Sequence, residues 1–461
     1  MRDLLISSIL FSLMPISYRR PYVGLLAFSW LAYMRPQDLT YSFARGLRWS
    51  FYMAIVMFAG YFMKPRGRFF LPDVRTGLFC ALAIFIGVGI FFGAEVTERQ
   101  ISRYIEFVKI IGIALFTLAV VTNRERLRAL MWIIALSLGF YGVKNGVWGV
   151  LTLGQTHVLR GPGGMLLDNN DFALALAMAV PMLFQIGWTE RHELMRKAFW
   201  ITVPLTMLTV GLTRSRGGFL SLSAAVGVLV WRSKNRVAGL MIAGLVGIVG
   251  LILAPPEYKE RLMTIVDYDS ESSAKSRLRA WGIAIRMALA NPFFGVGFGR
   301  FPKHFVEFCH DPTPNELAGK GVIVAHNSYL QIWAECGTPA ILMYFSLVLA
   351  SFVTIWKVRA MAKRRFDTSW ILNYATMFEA SLVCFLVGST FLNRAHFDLF
   401  YHFVAIIMAF GYIARRDMLT GETGVYRKTG SRARLRQVLP RGFARKDALT
   451  GLGGAYASRE A

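Results

Sequence analysis

Apolar stretches close to bilayer length recur from Met1 to about Ile413, and no other feature constrains the fold of this 461-residue chain as tightly. Inside hydrocarbon every backbone N–H and C=O must be paired within the protein, so only helices or closed barrels can span it. The runs are continuous and do not alternate with period two, which argues against a barrel. They lie near residues 4–16, 21–34, 49–63, 76–93, 101–121, 128–150, 171–188, 198–212, 217–231, 237–254, 327–356, 370–391 and 397–413. A bilayer core of ~30 Å needs roughly 20 helical residues, so the expected fold is an all-α polytopic membrane protein with about 12 transmembrane helices. The first two runs are short. They make either one broken crossing with the N-terminus inside, or two crossings with the N-terminus outside. The first run lacks a convincing cleavage site, so it reads as membrane-embedded and not as a cleaved signal.

Charge orients this array. Lys and Arg number 52 against 27 Asp and Glu, for a net charge of +25. The excess is not spread as in a nucleic-acid binder. It concentrates in loops 64–75, 122–128, 189–197, 232–236 and 357–369, which alternate correctly to lie together on the cytoplasmic side. The tail 414–461, with eleven Lys/Arg and four Asp/Glu, falls on that side too and reads as disordered and basic, beside anionic headgroups. The other side receives 35–48, 94–100, 151–170, 213–216, 255–326 and 392–396. Of these, 255–326 is much the longest and nearly neutral, with nine Lys/Arg and eight Asp/Glu. Four units follow: an N-terminal transmembrane bundle (1–254), a large external loop (255–326), C-terminal transmembrane helices (327–413) and the tail. Within the loop, 272–290 reads as a helix stopped by Asn291-Pro292, and Gly295, Gly297 and Gly299 mark turns. The four cysteines have no ligand spacing and three of them lie in apolar runs.

The external side collects the residues able to do chemistry. His326 closes the long loop where the next apolar helix begins. Asn327 or Ser328 is a natural cap for that helix, and the positive potential of its N-terminus favours a neutral imidazole, the form a general base needs. Arg214 and Arg216 flank a four-residue connection between two runs. Arginine stays charged and its planar fork binds phosphate oxygens bidentately; the alternative is snorkelling to headgroups. Gly217 and Gly218 permit close approach of backbone or ligand, favouring Arg216. Arg277 and Trp281 share one helix face, with Trp281 expected to dip into lipid; an ordinary surface helix is the rival reading. Arg160, Asp168, Arg279 and Tyr329 accompany them as candidate substrate contacts, with Asn327. Asp168 could instead cap the next run. Lys144 and Glu335, inside apolar runs, are expected to face the bundle interior. The histidines His304, His310 and His326 match no standard metal-ligand spacing, so no metal is expected. Gly295-Val-Gly-Phe-Gly299 lacks the strand–turn–helix context of a nucleotide loop.

These residues in this order resemble the O-antigen ligase/polymerase (Wzy-like) superfamily, and within it the O-glycosylation ligases that accompany exosortase systems. The likeness runs through Met1-Arg-Asp-Leu-Leu5, Ala32-Tyr-Met-Arg-Pro-Gln37, Tyr141-Gly-Val-Lys144, Gly161-Pro-Gly-Gly164 with Asp168-Asn-Asn170, Ser215-Arg-Gly-Gly218, Arg277 with Trp281, Asn291-Pro-Phe-Phe-Gly-Val-Gly297 and Ala325-His326. It covers about residues 1–413. It implies a GT-C-like glycosyltransferase of the bacterial inner membrane, active at the periplasmic face and needing neither metal nor nucleotide cofactor. The donor it implies is a glycan on undecaprenyl diphosphate and the acceptor lipid A–core; phospholipids are neighbours and nucleic acid is not a partner. His326 falls on the family's essential histidine, Arg216 and Arg277 on its arginines. The chain departs where relatives carry Gly-Glu-His-Gly: here the stretch is Ala334-Glu-Cys-Gly337. Rival functions are an O-antigen polymerase, a protein O-glycosylation ligase, and a transporter of lipid-linked glycan.

Overall fold

In the computed structural model the described residues are 1–63, 73–92, 96–155, 157–237, 239–241, 244, 272–318, 320, 322–365 and 368–420. The expected span 237–254 is largely outside them, as are 255–271 and the tail from 421 onward.

The described chain is a helical bundle. Its longer helices are α1 (Arg2–Arg19), α2 (Pro21–Tyr33), α3 (Trp49–Phe62), α4 (Val74–Phe91), α5 (Glu98–Val120), α6 (Arg124–Leu151), α7 (Asn169–Thr189), α8 (Glu193–Leu212), α9 (Arg216–Arg232), α10 (Ser272–Ala290), α11 (Ser328–Ala362), α12 (Ser369–Ser389) and α13 (Asp398–Leu419). Six of these, α4, α6, α7, α11, α12 and α13, are long and apolar enough to cross a membrane, while α2 and α3 are shorter apolar helices. The chain is thus a multi-pass membrane protein; six such spans among the described residues is the count the helices themselves support, against the twelve expected. Two of the six, α7 and α13, have 83% of their most apolar window buried and form the centre of the bundle.

The first two runs form an antiparallel pair. The chain breaks at Arg20, with Pro21 restarting the helix at its first turn, where a missing N–H costs nothing. Asp3 at the start of α1 accepts from the Ser42 and Ala44 amides beyond α2. Gly60 near the end of α3 packs on the Tyr18 carbonyl, where a Cβ would sit at 2.1 Å. The start of α1 and the residues just beyond α2 therefore share one end of the bundle.

Contacts also sort the loops. The Lys/Arg-rich loops meet at one end: Arg128 pairs with Glu190, the Arg126 carbonyl accepts from Tyr22, and Arg124 stacks on Trp370. The remaining connections meet at the other end, where Asp171 pairs with Arg394 and Asn169 donates to the Thr213 carbonyl. For the described connections named here, these contacts agree with the alternation read from charge.

One helix is broken where the sequence reads as a single apolar run. In α11, Gly337 has φ 81° and ψ −179°. The freed groups are not left unpaired, which inside a bundle would be costly. The Ala334 and Glu335 carbonyls accept from the Val296 and Gly297 amides (2.8 and 3.1 Å), and the Thr338 amide donates to the Pro292 carbonyl (2.8 Å). Only glycine fits at the crossing, since a Cβ on Gly337 would meet the Phe293 carbonyl oxygen at 2.0 Å. The Asn291–Gly299 stretch is therefore a plug seated in a helix break. It is rooted by α10, whose Ile283, Ala284 and Met287 pack with Phe301, Phe305, Ala325 and Ala334 in a second small core.

Candidate functional site

His326 sits at the mouth of α11, half-buried, with φ +47°, in the left-handed region that a non-glycine residue seldom occupies. Asn327 forces this geometry: its side chain caps α11, accepting from the Tyr329 and Leu330 amides (3.0 and 3.1 Å). Ser328 then locks the helix start to the α12–α13 turn, donating to the Leu392 carbonyl and accepting from the Arg394 amide (2.8 and 2.9 Å). The imidazole is thereby held on a rigid corner.

Two charged residues act on it from different elements. Burial lowers the His326 pKa below the usual 6.5, Arg277 on α10 lowers it further, and Asp168 opposes both. The neutral ring expected from the helix N-terminus is thus supported, but by desolvation first and the Arg277 guanidinium second. Asp168 is itself fixed as the cap of α7, accepting from the Asn170 amide (2.9 Å). Arg160 is exposed and pairs with Asp168 through the backbone. Next to them the α8–α9 turn presents Arg214, at φ +55°, with Nη2 2.7 Å from His157 Nε2. Arg216 is the first residue of α9, half-buried, after the Ser215 cap.

Other expectations change. Gly217 and Gly218 serve helix packing: a Cβ on Gly218 would stand 2.5 Å from that of Ala173, and one on Gly217 3.1 Å from that of Phe391. Arg279 is committed within the loop, bonding both Glu316 carboxylate oxygens (2.8 and 3.0 Å) and the Asp311 carbonyl. Tyr329 points into the bundle and donates to the Leu386 carbonyl (2.8 Å). Trp281 is half-buried, with its Nε1 enclosed. Lys144 is exposed on α6, against the expected interior position, whereas Glu335 is only 2% exposed. His304 pairs with Glu307 (2.7 Å), and among the described residues no group of three or more His, Cys, Asp or Glu could hold a metal ion.

Sequence reading missed three residues here. Arg394 bridges Asp171 to the start of α11. His396 packs against Phe107 and Phe298. Arg35, at φ +51°, holds Asp38 (2.5 Å) and lies under Gly163 and Gly164 of the loop that ends in Asp168. Arg35 lies in the Ala32-Tyr-Met-Arg-Pro-Gln37 stretch without having been singled out, and the signal available for Arg394 was a charge beside an otherwise apolar run.

Residues 199–345 match the family described as O-antigen ligase, a stretch that contains Arg214, Arg216, Arg277 and His326. Residues 1–194 match a family of unknown function, DUF5935. The likeness to the O-antigen ligase/Wzy-like superfamily read from the sequence is thus supported over residues 199–345. An uncharacterized protein of Haemophilus influenzae is 21% identical over 219 residues, covering 44% of this chain and 53% of that protein. The match spans about half the length of that relative.

Proposed function

We propose that this protein is an O-antigen ligase of the bacterial inner membrane, transferring a glycan from undecaprenyl diphosphate to lipid A–core at the periplasmic face. The observation that carries this reading is His326, its pKa lowered, set on a capped helix corner between Arg277 and Asp168. That corner shares its end of the bundle with Arg214, Arg216 and Arg160.

The step is one inverting displacement. The acceptor hydroxyl oxygen bonds to the anomeric carbon as the bond from that carbon to the diphosphate oxygen breaks. His326 takes the hydroxyl proton and the leaving diphosphate keeps the electron pair. Arg216 and Arg277 stabilise its charge, with Arg214 and Arg160 as further contacts. Guanidinium groups supply the neutralisation that a divalent ion would otherwise provide, so transfer is expected to survive chelation. Arg279 and Tyr329 drop out of the substrate-binding set, because their polar groups are occupied.

The test is a reconstituted assay with a glycan on undecaprenyl diphosphate and defined acceptors. Glycan joined to lipid A–core supports the reading. A lengthened glycan still on undecaprenyl diphosphate would make the protein a polymerase, and a glycosylated protein would make it a protein O-glycosylation ligase. Glycan moved across the membrane with no new bond would make it a transporter.

A further inference from the structure

The turn between α12 and α13 is fastened to the first turn of α11. Ser328 Oγ donates to the Leu392 carbonyl (2.8 Å) and accepts from the Arg394 amide (2.9 Å). Gln331 Oε1 accepts from the Ala395 amide (3.3 Å), and the Ala395 carbonyl accepts from the Tyr401 hydroxyl (2.9 Å). His326 lies two residues before Ser328, so His326 and Arg394 start from one rigid corner. From there the Arg394 guanidinium reaches a different helix, where its Nη2 pairs with Asp171 Oδ2 in the first turn of α7. Asp171 is 2% exposed, and a carboxylate buried that deeply needs a counter-charge. The Arg394 side chain keeps 36% of its surface exposed, so the cation tolerates solvent where the carboxylate does not.

Asp168, three residues before Asp171, caps the same helix and accepts from the Asn170 amide (2.9 Å). It lies within electrostatic reach of both His326 and Arg394. The Arg394–Asp171 pair therefore joins the element that carries His326 to the element that carries its carboxylate neighbour. Other charged groups come from other elements. Arg277 of α10 acts on His326 against Asp168. Asp398, the first residue of α13, acts on Arg394, and Arg160 is bridged to Asp168 through the backbone. His396 of the same turn lies against Phe107 and Phe298.

We propose that Arg394 is a positioning residue, which by pairing with Asp171 holds the Asp168 carboxylate at a fixed distance from His326. Coulomb energy falls with distance and with solvent screening. Released from this clamp, the start of α7 would let Asp168 turn toward water and lose its hold on the imidazole. The consequence for glycan transfer rests on the ligase reading above; the clamp itself does not.

Titration of His326 by NMR tests this, in full-length protein labelled with 15N-histidine in dodecyl maltoside. The signal is identified by its loss in His326→Ala. Asp168→Asn should lower the His326 pKa in the otherwise wild-type chain, because it removes a negative neighbour. That shift should largely disappear when Asp168→Asn is combined with Asp171→Ala, which breaks the clamp and leaves only a solvent-reaching cation unpaired. Arg394→Gln should abolish it too, at a cost in Tm, because it strands the buried Asp171. Arg394→Lys should keep it, since an ammonium still pairs with Asp171. A full shift in the Asp171→Ala background, or its loss in Arg394→Lys as well, overturns the proposal. Under the ligase reading, Asp171→Ala should lower kcat by about 10–100-fold, the effect of a small misplacement, and leave the donor KM near wild type. A raised donor KM with unchanged kcat would make Arg394 a substrate contact and overturn the positioning role. A wild-type protein that transfers no glycan removes the ligase reading, while the titration still decides the clamp.

Discussion

The two ends of the bundle treat charge in opposite ways. At the end where the Lys/Arg-rich loops meet, Glu379 is 6% exposed and saturated. Arg232 grips both its oxygens (2.8 and 2.5 Å), Trp356 Nε1 donates at 3.1 Å, and Arg359 lies 2.7 Å away. At the His326 end the polar groups are spread over five connections. Among the described residues, all four non-glycine positions with positive φ are there: Arg35, Leu153, Arg214 and His326. Such backbone costs of order 1–3 kcal/mol per residue and persists only where its surroundings over-determine it. A carboxylate with every lone pair engaged holds helices together and has nothing left for a ligand. At the other end, arginines from separate connections gather instead around a histidine with strained backbone.

Five substitutions would break or sharpen this contrast. The largest effect is expected from His326→Ala, which should lower glycan transfer by about 10²–10⁴-fold, the usual worth of a general base. The variant should keep a near-wild-type Tm, and normal transfer by it would remove the proposed mechanism. Glu379→Ala is the mirror experiment. It leaves two arginines without their shared anion and should cost about 3–5 kcal/mol of stability. Its thermal unfolding should shift markedly while the pH dependence of residual transfer does not. Arg216→Lys comes next, with transfer expected to fall about tenfold or more, because an ammonium keeps the charge and loses the two-pronged contact. Full activity would argue against bidentate diphosphate binding.

The subtlest prediction concerns pH. Because burial and Arg277 hold the His326 pKa below the usual 6.5 and Asp168 opposes them, the acid limb of the rate profile should lie below that value. Arg277→Gln removes a positive neighbour, so protonation becomes easier and the limb should move to higher pH. Asp168→Asn removes a negative neighbour, and the limb should move to lower pH. Rate profiles in which both variants shift the same way would show that His326 does not govern the limb.

Much of this was legible along the chain. Apolar runs predicted helices at nearly the observed positions, because backbone in lipid has few other ways to satisfy its hydrogen bonds. Helix 272–290 and its stop at Asn291-Pro292 followed from capping and proline sterics. The cap role of Asn327 was readable for the same local reason. The break at Gly337 was not, because what demands it is a turn forty residues earlier in the chain. Arg279 and Arg277 look interchangeable two residues apart on one helix, and only the position of Glu316 shows that the first is spent inside the loop.

By itself, then, the sequence determined that the chain is a helical membrane protein, which loops share an end, and that His326 begins a helix. These follow from periodicity, charge alternation and capping, all of which act over a few neighbouring residues. The tertiary structure decided which charges are occupied and which are open. Arg394 meets Asp171, Arg232 and Arg359 meet Glu379, and Arg279 meets Glu316. The physical reason is that an ion pair depends on distance in space and on burial, and neither is encoded in the spacing of residues along the chain.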